Sequence, residues 1–166
     1  HIYGLDGGLV IRTFDGKIYL YIGMRRGGNN YYVFDVTSKL APKLVFTING
    51  GEGDFANLGQ TWSKPIITKI QIGQNEKNVM IFGGGYDEAQ DTNTVRTEDS
   101  VGNSVFIVDA EDGSLLWSAS KEEGNLTVPE MKYSIPARVS VIDRNNDQLA
   151  DHLYVSDMGG QLFRFD

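Results

Sequence analysis

The chain contains no cysteine, which excludes disulfides, thiolate metal sites and cysteine nucleophiles. Its only histidines are His1 and His152, and neither has a Ser or Asp partner in a pattern that would mark a hydrolytic triad. Positive charge is scarce: 15 Lys and Arg against 22 Asp and Glu leave a net charge of −7. A general nucleic-acid or anionic-membrane binder needs a basic face, and Arg25-Arg26 is too small to supply one. No apolar run approaches the roughly 18–20 residues of a membrane span. No sustained helical period and no secretory signal are visible. The chain starts at His1, without an initiator Met, in a stretch that reads as strand. It is therefore expected to be a piece of a longer, secreted protein.

What is present is glycine, 20 residues of it, and 40% hydrophobic residues arranged in short runs. That composition suits an all-β fold of short strands and tight turns. Self-similarity gives the architecture. YGLDGGLVIRTFD (3–15) aligns without a gap on YVSDMGGQLFRFD (154–166), with Tyr3 matching Tyr154, 151 residues later. Ser63-Lys-Pro65 before IITKIQI matches Ser134-Ile-Pro136 before ARVSVI, 71 residues later. A unit of about 70–75 residues, made of strands and Gly-rich turns, reads as a β-propeller blade with enlarged loops.

The second unit predicts all four strands, at 65–72, 78–84, 103–109 and 114–119, with a hairpin turn at Asp112-Gly113. Residues 1–48 are expected to carry the later strands of one blade, including YYVFDV (31–36) and KLVFTI (43–48). A Gly-rich connection (49–61) leads to a full blade at 62–120 with an inserted loop at 86–102. Residues 134–166 open the next blade. The expectation is thus a partial β-propeller of about two and a third blades. Because a closed ring needs at least about four blades, the end strands should pair with blades outside this chain. An isolated arc would expose sheet edges.

One loop carries a chemical signature. In DRNNDQLAD, Asp143, Asn145, Asp147 and Asp151 place oxygen-bearing side chains at alternate positions, and Leu149 can add its backbone carbonyl. A hard cation needs several oxygens at about 2.3–2.6 Å, and a tight loop can turn alternate groups onto one point. Three carboxylates facing one another also call for a counter-charge. The pattern follows the first nine positions of an EF-hand loop. The twelfth position is Tyr154 instead of a bidentate Glu, the flanks read as strands, and the sixth position is Gln148 instead of Gly. Calcium is the expected ion, with affinity on the order of 10⁻⁶–10⁻³ M. A metal-free Asx-rich hairpin is the plainer alternative.

Four blocks, in this order and spacing, resemble the C-terminal propeller domain of the PilY1/PilC family of type IV pilus tip-associated proteins. They are MRRGGNNYYVFDVTSKLAPKLVF (24–46), LGQTWSKPIITKI (58–70), IFGGGYD (81–87) and DRNNDQLADHLYVSDMGGQLFRFD (143–166). The resemblance implies a modified seven-bladed propeller and calcium held by Asp143, Asn145, Asp147, the Leu149 carbonyl and Asp151. It also implies passage through the periplasm to the cell surface, at the pilus tip or outer membrane. Partners would be minor pilins at the tip and a host or abiotic surface. The roles implied are pilus extension against retraction, adhesion and twitching motility, none of them enzymatic. The Arg-Gly-Asp motif of some members is missing here.

Other features have plainer readings. Gly83-Gly84-Gly85-Tyr86-Asp87 lacks the Lys-Ser/Thr of a P-loop and reads as a strand end where backbones approach closely. DEAQDTNTVRTEDS (87–100) reads as a solvated loop, although Asp87, Glu88, Asp91 and Asn93 are candidates for a second cation. Trp62 and Trp117 read as packing residues. VDAEDGSLLW (108–117) resembles motifs of quinoprotein dehydrogenase propellers, which leaves such an enzyme as one alternative. A scaffold propeller with purely structural calcium is another.

Overall fold

The computed structural model describes residues 3–166; the expected strand at His1 lies outside them. Three β-sheets follow one another along the chain. The first contains β1 (Val10–Phe14), β2 (Lys17–Gly23), β3 (Tyr31–Asp35) and β4 (Lys43–Ile48). The second contains β5 (Ile66–Ile72), β6 (Asn75–Gly83), β7 (Ser104–Asp109), β8 (Leu115–Ser120) and the two-residue β9 (Leu126–Thr127). The third contains β10 (Ser140–Ile142), β11 (His152–Ser156) and β12 (Leu162–Phe165). Neighbours pair antiparallel in chain order, except that β9 joins β8 in parallel. The fold is all-β, and its open sheets are those of a partial propeller.

Strands form near the four positions expected in the second unit, with β6 starting three residues earlier than the expected 78–84 and a fifth, β9, added. Residues 10–48 hold more than the later strands of a blade, because β1 is the first strand of a complete four-stranded sheet. The likeness of residues 3–15 to 154–166 therefore matches β1 with β12, the third strand of its own sheet. Those two segments are alike in residues without being equivalent in place. The turn that starts the first sheet is Asp15-Gly16, where both residues have positive φ (52° and 73°) and Phe14 pairs with Lys17. Such a two-residue turn matches the right-handed twist of its strands.

The second sheet is buried on both faces. Met80, Phe82, Phe106 and Val108 face the first sheet and join Tyr21, Tyr31, Val33 and Ile48. Val79, Ile81, Val105 and Ala119 face the third sheet and join Val139, Leu153, Val155 and Phe165. Alternation along a strand sends successive side chains to opposite faces, so a strand apolar at every position, such as VMIF, must be covered on both. The outer faces of the first and third sheets leave Leu9, Ile11, Ile18, Leu44 and Leu162 exposed.

Polar groups fasten the sheets together at the strand ends. The Tyr21 hydroxyl donates to the Ala110 carbonyl (2.8 Å) and the Tyr31 hydroxyl to the Ser63 carbonyl (2.5 Å). Burial pushes both phenols well above their ordinary range, which keeps them protonated as donors. The Ser63 hydroxyl accepts from the Gly83 N–H (3.0 Å) and donates to the Ala137 carbonyl (2.9 Å), linking β6 to the segment entering the third sheet. Gly83, Gly84 and Gly85 have backbone carbonyls of Ile135, Gly102 and Gln60 where a Cβ would stand. This is the close approach expected of the cluster.

The inserted loop is mostly exposed but anchored by two buried carboxylates. Asp87 accepts from the Ser100 N–H (2.7 Å), the Ser100 hydroxyl (2.9 Å) and the Ala89 N–H (3.0 Å). Burial pushes its carboxyl up, but these donors outweigh it and hold the group below its ordinary value. Asp99 accepts from the Ser134 N–H (2.6 Å) and pairs with Arg96 (2.9 Å).

Ser63→Ala should cost about 1–3 kcal/mol in urea unfolding, because the buried Gly83 N–H loses its acceptor. Gly83→Ala should cost more, since the added methyl overlaps the Ile135 carbonyl. For Asp87, a depressed folded value means that its stabilisation is complete above the unfolded carboxylate value of about 3.9 and fades as pH falls below it. Asp87→Asn should remove that part of the acid dependence, measured as unfolding midpoint against pH.

Candidate metal centre

The nine residues 143–151 connect β10 to β11, and the loop's mouth is closed where Asp151 N–H donates to the Ile142 carbonyl (2.9 Å). The strands fix the two ends, as β-branched and aromatic flanks require. Inside the loop, side-chain oxygens take up backbone N–H groups. One Asp143 oxygen accepts from Asn146 N–H (2.6 Å) and Asp147 N–H (3.2 Å), and the other from Gln148 N–H (2.8 Å). The Asn145 side-chain oxygen accepts from Asp147 N–H (3.0 Å), and Asp147 accepts from Leu149 N–H (2.9 Å) and from the Asn145 side-chain amide (2.9 Å). These are successive Asx turns, the local bonds that Asn and Asp favour over regular structure. They coil the backbone tightly enough that Asn146 and Gln148 take positive φ, 63° and 71°. Gln148, at the position where Gly is usual, thus adopts a conformation that strains a non-Gly residue.

Asp151 turns to the opposite end of the loop, where it accepts from Arg144 N–H (2.7 Å). His152 meets Asp166 (2.6 Å), which also pairs with Arg164 (2.6 Å). Those partners hold the Asp166 carboxyl below its ordinary value, Arg164 most strongly. The loop also rests on the neighbouring sheet: Ala150 N–H donates to the Lys69 carbonyl of β5 (2.8 Å). Beside this contact a groove of about 380 Å³ separates the second and third sheets, lined by Ile70, Trp117, Asp151 and Phe165 among others. Trp117 and Phe165 meet edge to face at 5.5 Å across it.

As a donor set, the loop fits calcium: carboxylate, amide and carbonyl oxygens only, in a cradle already coiled by its own N–H groups. Among the described residues, however, no three acidic, imidazole or thiol groups draw together closely enough to share an ion. Asp143 and Asp147 lie on one coil, joined by a hydrogen bond, while Asp151 is held off by Arg144. Completing a shell would require Asp151 to leave that N–H.

The other candidates are engaged elsewhere. Asp87 is the buried anchor described above, Glu88 accepts from the Gln60 amide (2.8 Å), and Asp91 meets Tyr86 and Arg26. Trp62 is covered by the Arg25 guanidinium at 4.2 Å. Residues 108–117 span the end of β7, the turn and the start of β8; Asp109 pairs with Lys77 (2.7 Å) and Asp112 accepts from Ser114. The packing of the loop on Lys69 had no sequence signal, because that contact joins residues 81 positions apart.

Residues 1–166 match the PilY1 beta-propeller domain family. The chain is 28% identical over 170 residues to the type IV pilus biogenesis factor PilY1 of Pseudomonas aeruginosa (strain PAO1), covering 100% of this chain and 13% of that protein. It is 28% identical over 177 residues to a PilY1 homolog of Xylella fastidiosa (strain Temecula1), covering 99% of this chain and 11% of that one. The chain thus spans about an eighth or less of these relatives. The crystal structure of the Pseudomonas aeruginosa PilY1 C-terminal domain superposes with a TM-score of 0.72 at 25% identity, covering 98% of this chain and 30% of that one. No helix among the described residues is long and apolar enough to cross a membrane.

Asp143→Ala should free the N–H groups of Asn146 and Gln148 while Asn145 keeps that of Asp147, so amide exchange at residues 146 and 148 should quicken about tenfold in metal-free buffer. Asp143→Asn, which keeps one acceptor oxygen, should fall between. Exchange equal to the unmodified protein would show that Asp143 does not hold the coil.

Proposed function

The chain belongs to the PilY1 β-propeller domain family, and from that membership we propose that it is a calcium-responsive propeller segment of a type IV pilus biogenesis factor. It acts at the cell surface, at the pilus tip or outer membrane, after passage through the periplasm. Its partners are minor pilins and a host or abiotic surface, and its roles are adhesion, twitching motility and the balance of pilus extension against retraction. The chemistry is recognition instead of catalysis. The names of the full-length relatives support the pilus role, and the family match over every residue of the chain carries it.

The calcium reading rests on the 143–151 loop. Asp143, Asn145, Asp147, the Leu149 carbonyl and Asp151 are the residues that would hold the ion. When bound, calcium would supply positive charge against three carboxylates that otherwise rely on backbone N–H groups. Asp143 and Asp147 already shape the coil. Asp151 is the mobile member, since it must exchange the Arg144 N–H for the shell. Its neighbour Ala150 is bonded to β5, so a change at Asp151 is felt where the second and third sheets meet. A loop with two arrangements, each altering how β10 and β11 sit on the preceding sheet, is a two-state element that an ion can bias.

Thermal unfolding should show a calcium-specific rise in midpoint over metal-free buffer, with magnesium as control. Asp147→Ala should abolish the rise while leaving the metal-free midpoint nearly unchanged. Equal stabilisation in that variant would remove the assignment. In cells, Asp143→Ala with Asp147→Ala should disturb piliation and twitching. Normal motility would reduce calcium to a stabiliser of a scaffold.

A further inference from the structure

A second polar cavity, of about 370 Å³, opens where the first strands of the three sheets come together. Its wall includes Arg12 of β1, Thr68 of β5, Arg138 just before β10, and Asp143 and Gln148 of the loop. Arg12 reaches across the seam: its Nε donates to the Ile67 carbonyl (3.4 Å) and an Nη to its neighbour's carbonyl at Ile11 (3.0 Å). Both partners are neutral, and the second Nη keeps its donors. Arg25, Arg26, Arg96 and Arg164 each have a carboxylate within 4.0 Å. Among the described residues Arg12, Arg138 and Arg144 have none, and of these Arg12 and Arg138 line the cavity, in a chain with seven more acids than Lys and Arg together. The acid on the cavity wall, Asp143, has both oxygens committed to the N–H groups of residues 146–148. Two arginines without a carboxylate partner thus line one cavity.

We propose that this cavity receives a carboxylate, the acidic side chain of a polypeptide partner, between Arg12 and Arg138. Guanidinium donors match carboxylate oxygens in geometry as well as charge. A doubly charged phosphate suits the place less well, because Asp143 stands on the same wall. The cavity is also much larger than a carboxylate alone, leaving room for the side chain that bears it and its flanking residues. Asp143 and Gln148 belong both to the loop and to the cavity wall, so the site is tested without calcium.

The test titrates the intact protein with an acetylated, amidated tri-glutamate peptide, by calorimetry in EDTA at low salt. Glutarate and inorganic phosphate form parallel arms. The peptide should bind, weaken as salt is raised, and lose about tenfold in affinity in Arg12→Gln and in Arg138→Gln. Arg144→Gln, which removes the same charge outside the cavity, should leave affinity unchanged. In the unmodified protein, amide shifts on titration should centre on residues 12, 68, 138 and 148, which tests the site even where a variant folds poorly. Equal losses in all three variants, no loss in either cavity variant, or shifts elsewhere would overturn the site. Phosphate binding as tightly as the peptide would overturn the carboxylate assignment. Glutarate binding as tightly would keep the carboxylate and overturn the polypeptide source.

Discussion

The second sheet is covered on both faces, and the rest of the structure follows from that. Met80, Phe82, Phe106 and Val108 belong to one core, and Val79, Ile81, Val105 and Ala119 to the other. Neither neighbouring sheet can be removed without exposing one of these rows to water, at about 25 cal/mol for each Å² of apolar surface. Sheets stacked this closely leave little room at their ends. The connecting chain passes over Gly83, Gly84 and Gly85 because any side chain there would meet a backbone carbonyl. Polar groups drawn into the same seam must be matched, and the buried tyrosine hydroxyls and Ser63 are matched by carbonyls and an N–H of the neighbouring segments.

The candidate metal loop sits at the second of these seams, which gives it mechanical consequence. Its ends are fixed by β10 and β11, and one of its amides is bonded to β5. Asp151 therefore stands between the coil that would hold an ion and the groove where Trp117 meets Phe165. Any rearrangement of that carboxylate changes the polar edge of an apolar interface. Arg12 and Arg138 line the cavity that the same loop borders at Asp143 and Gln148. Loop, groove and cavity are thus one neighbourhood, built by bringing residue 12, residues 66–72 and residues 138–151 together.

Much of this was readable from residues alone, for identifiable reasons. The strands of the second unit announce themselves because a sheet covered on both sides needs unbroken apolar runs, and VMIF (79–82) and VFIV (105–108) are such runs. The loop was readable because Asp and Asn at alternate positions make their own turns, and the positive φ of Gln148 follows from that coiling. Other features gave weaker or misleading signals. Asp15-Gly16 is a strong turn pair, yet the likeness of its surroundings to residues 154–166 drew β1 toward the wrong place in its sheet. The two-residue β9 is too short to show any period. The inserted loop reads as solvated, although Asp87 and Asp99 are buried anchors with partners 13 and 35 residues away.

The division follows the range of the forces involved. Alternation, turn pairs and Asx spacing act over a few residues, so the chain alone settles that it makes strands, where most of them lie, and that residues 143–151 coil. Which carboxylate faces which donor depends on groups far apart in the chain. Asp99 takes the Ser134 amide, Lys69 holds Ala150, and Arg12 reaches Ile67 only after the first two sheets have stacked. Those choices belong to the folded packing, because the N–H and carbonyl groups that make them have no fixed positions until both faces of the second sheet are covered.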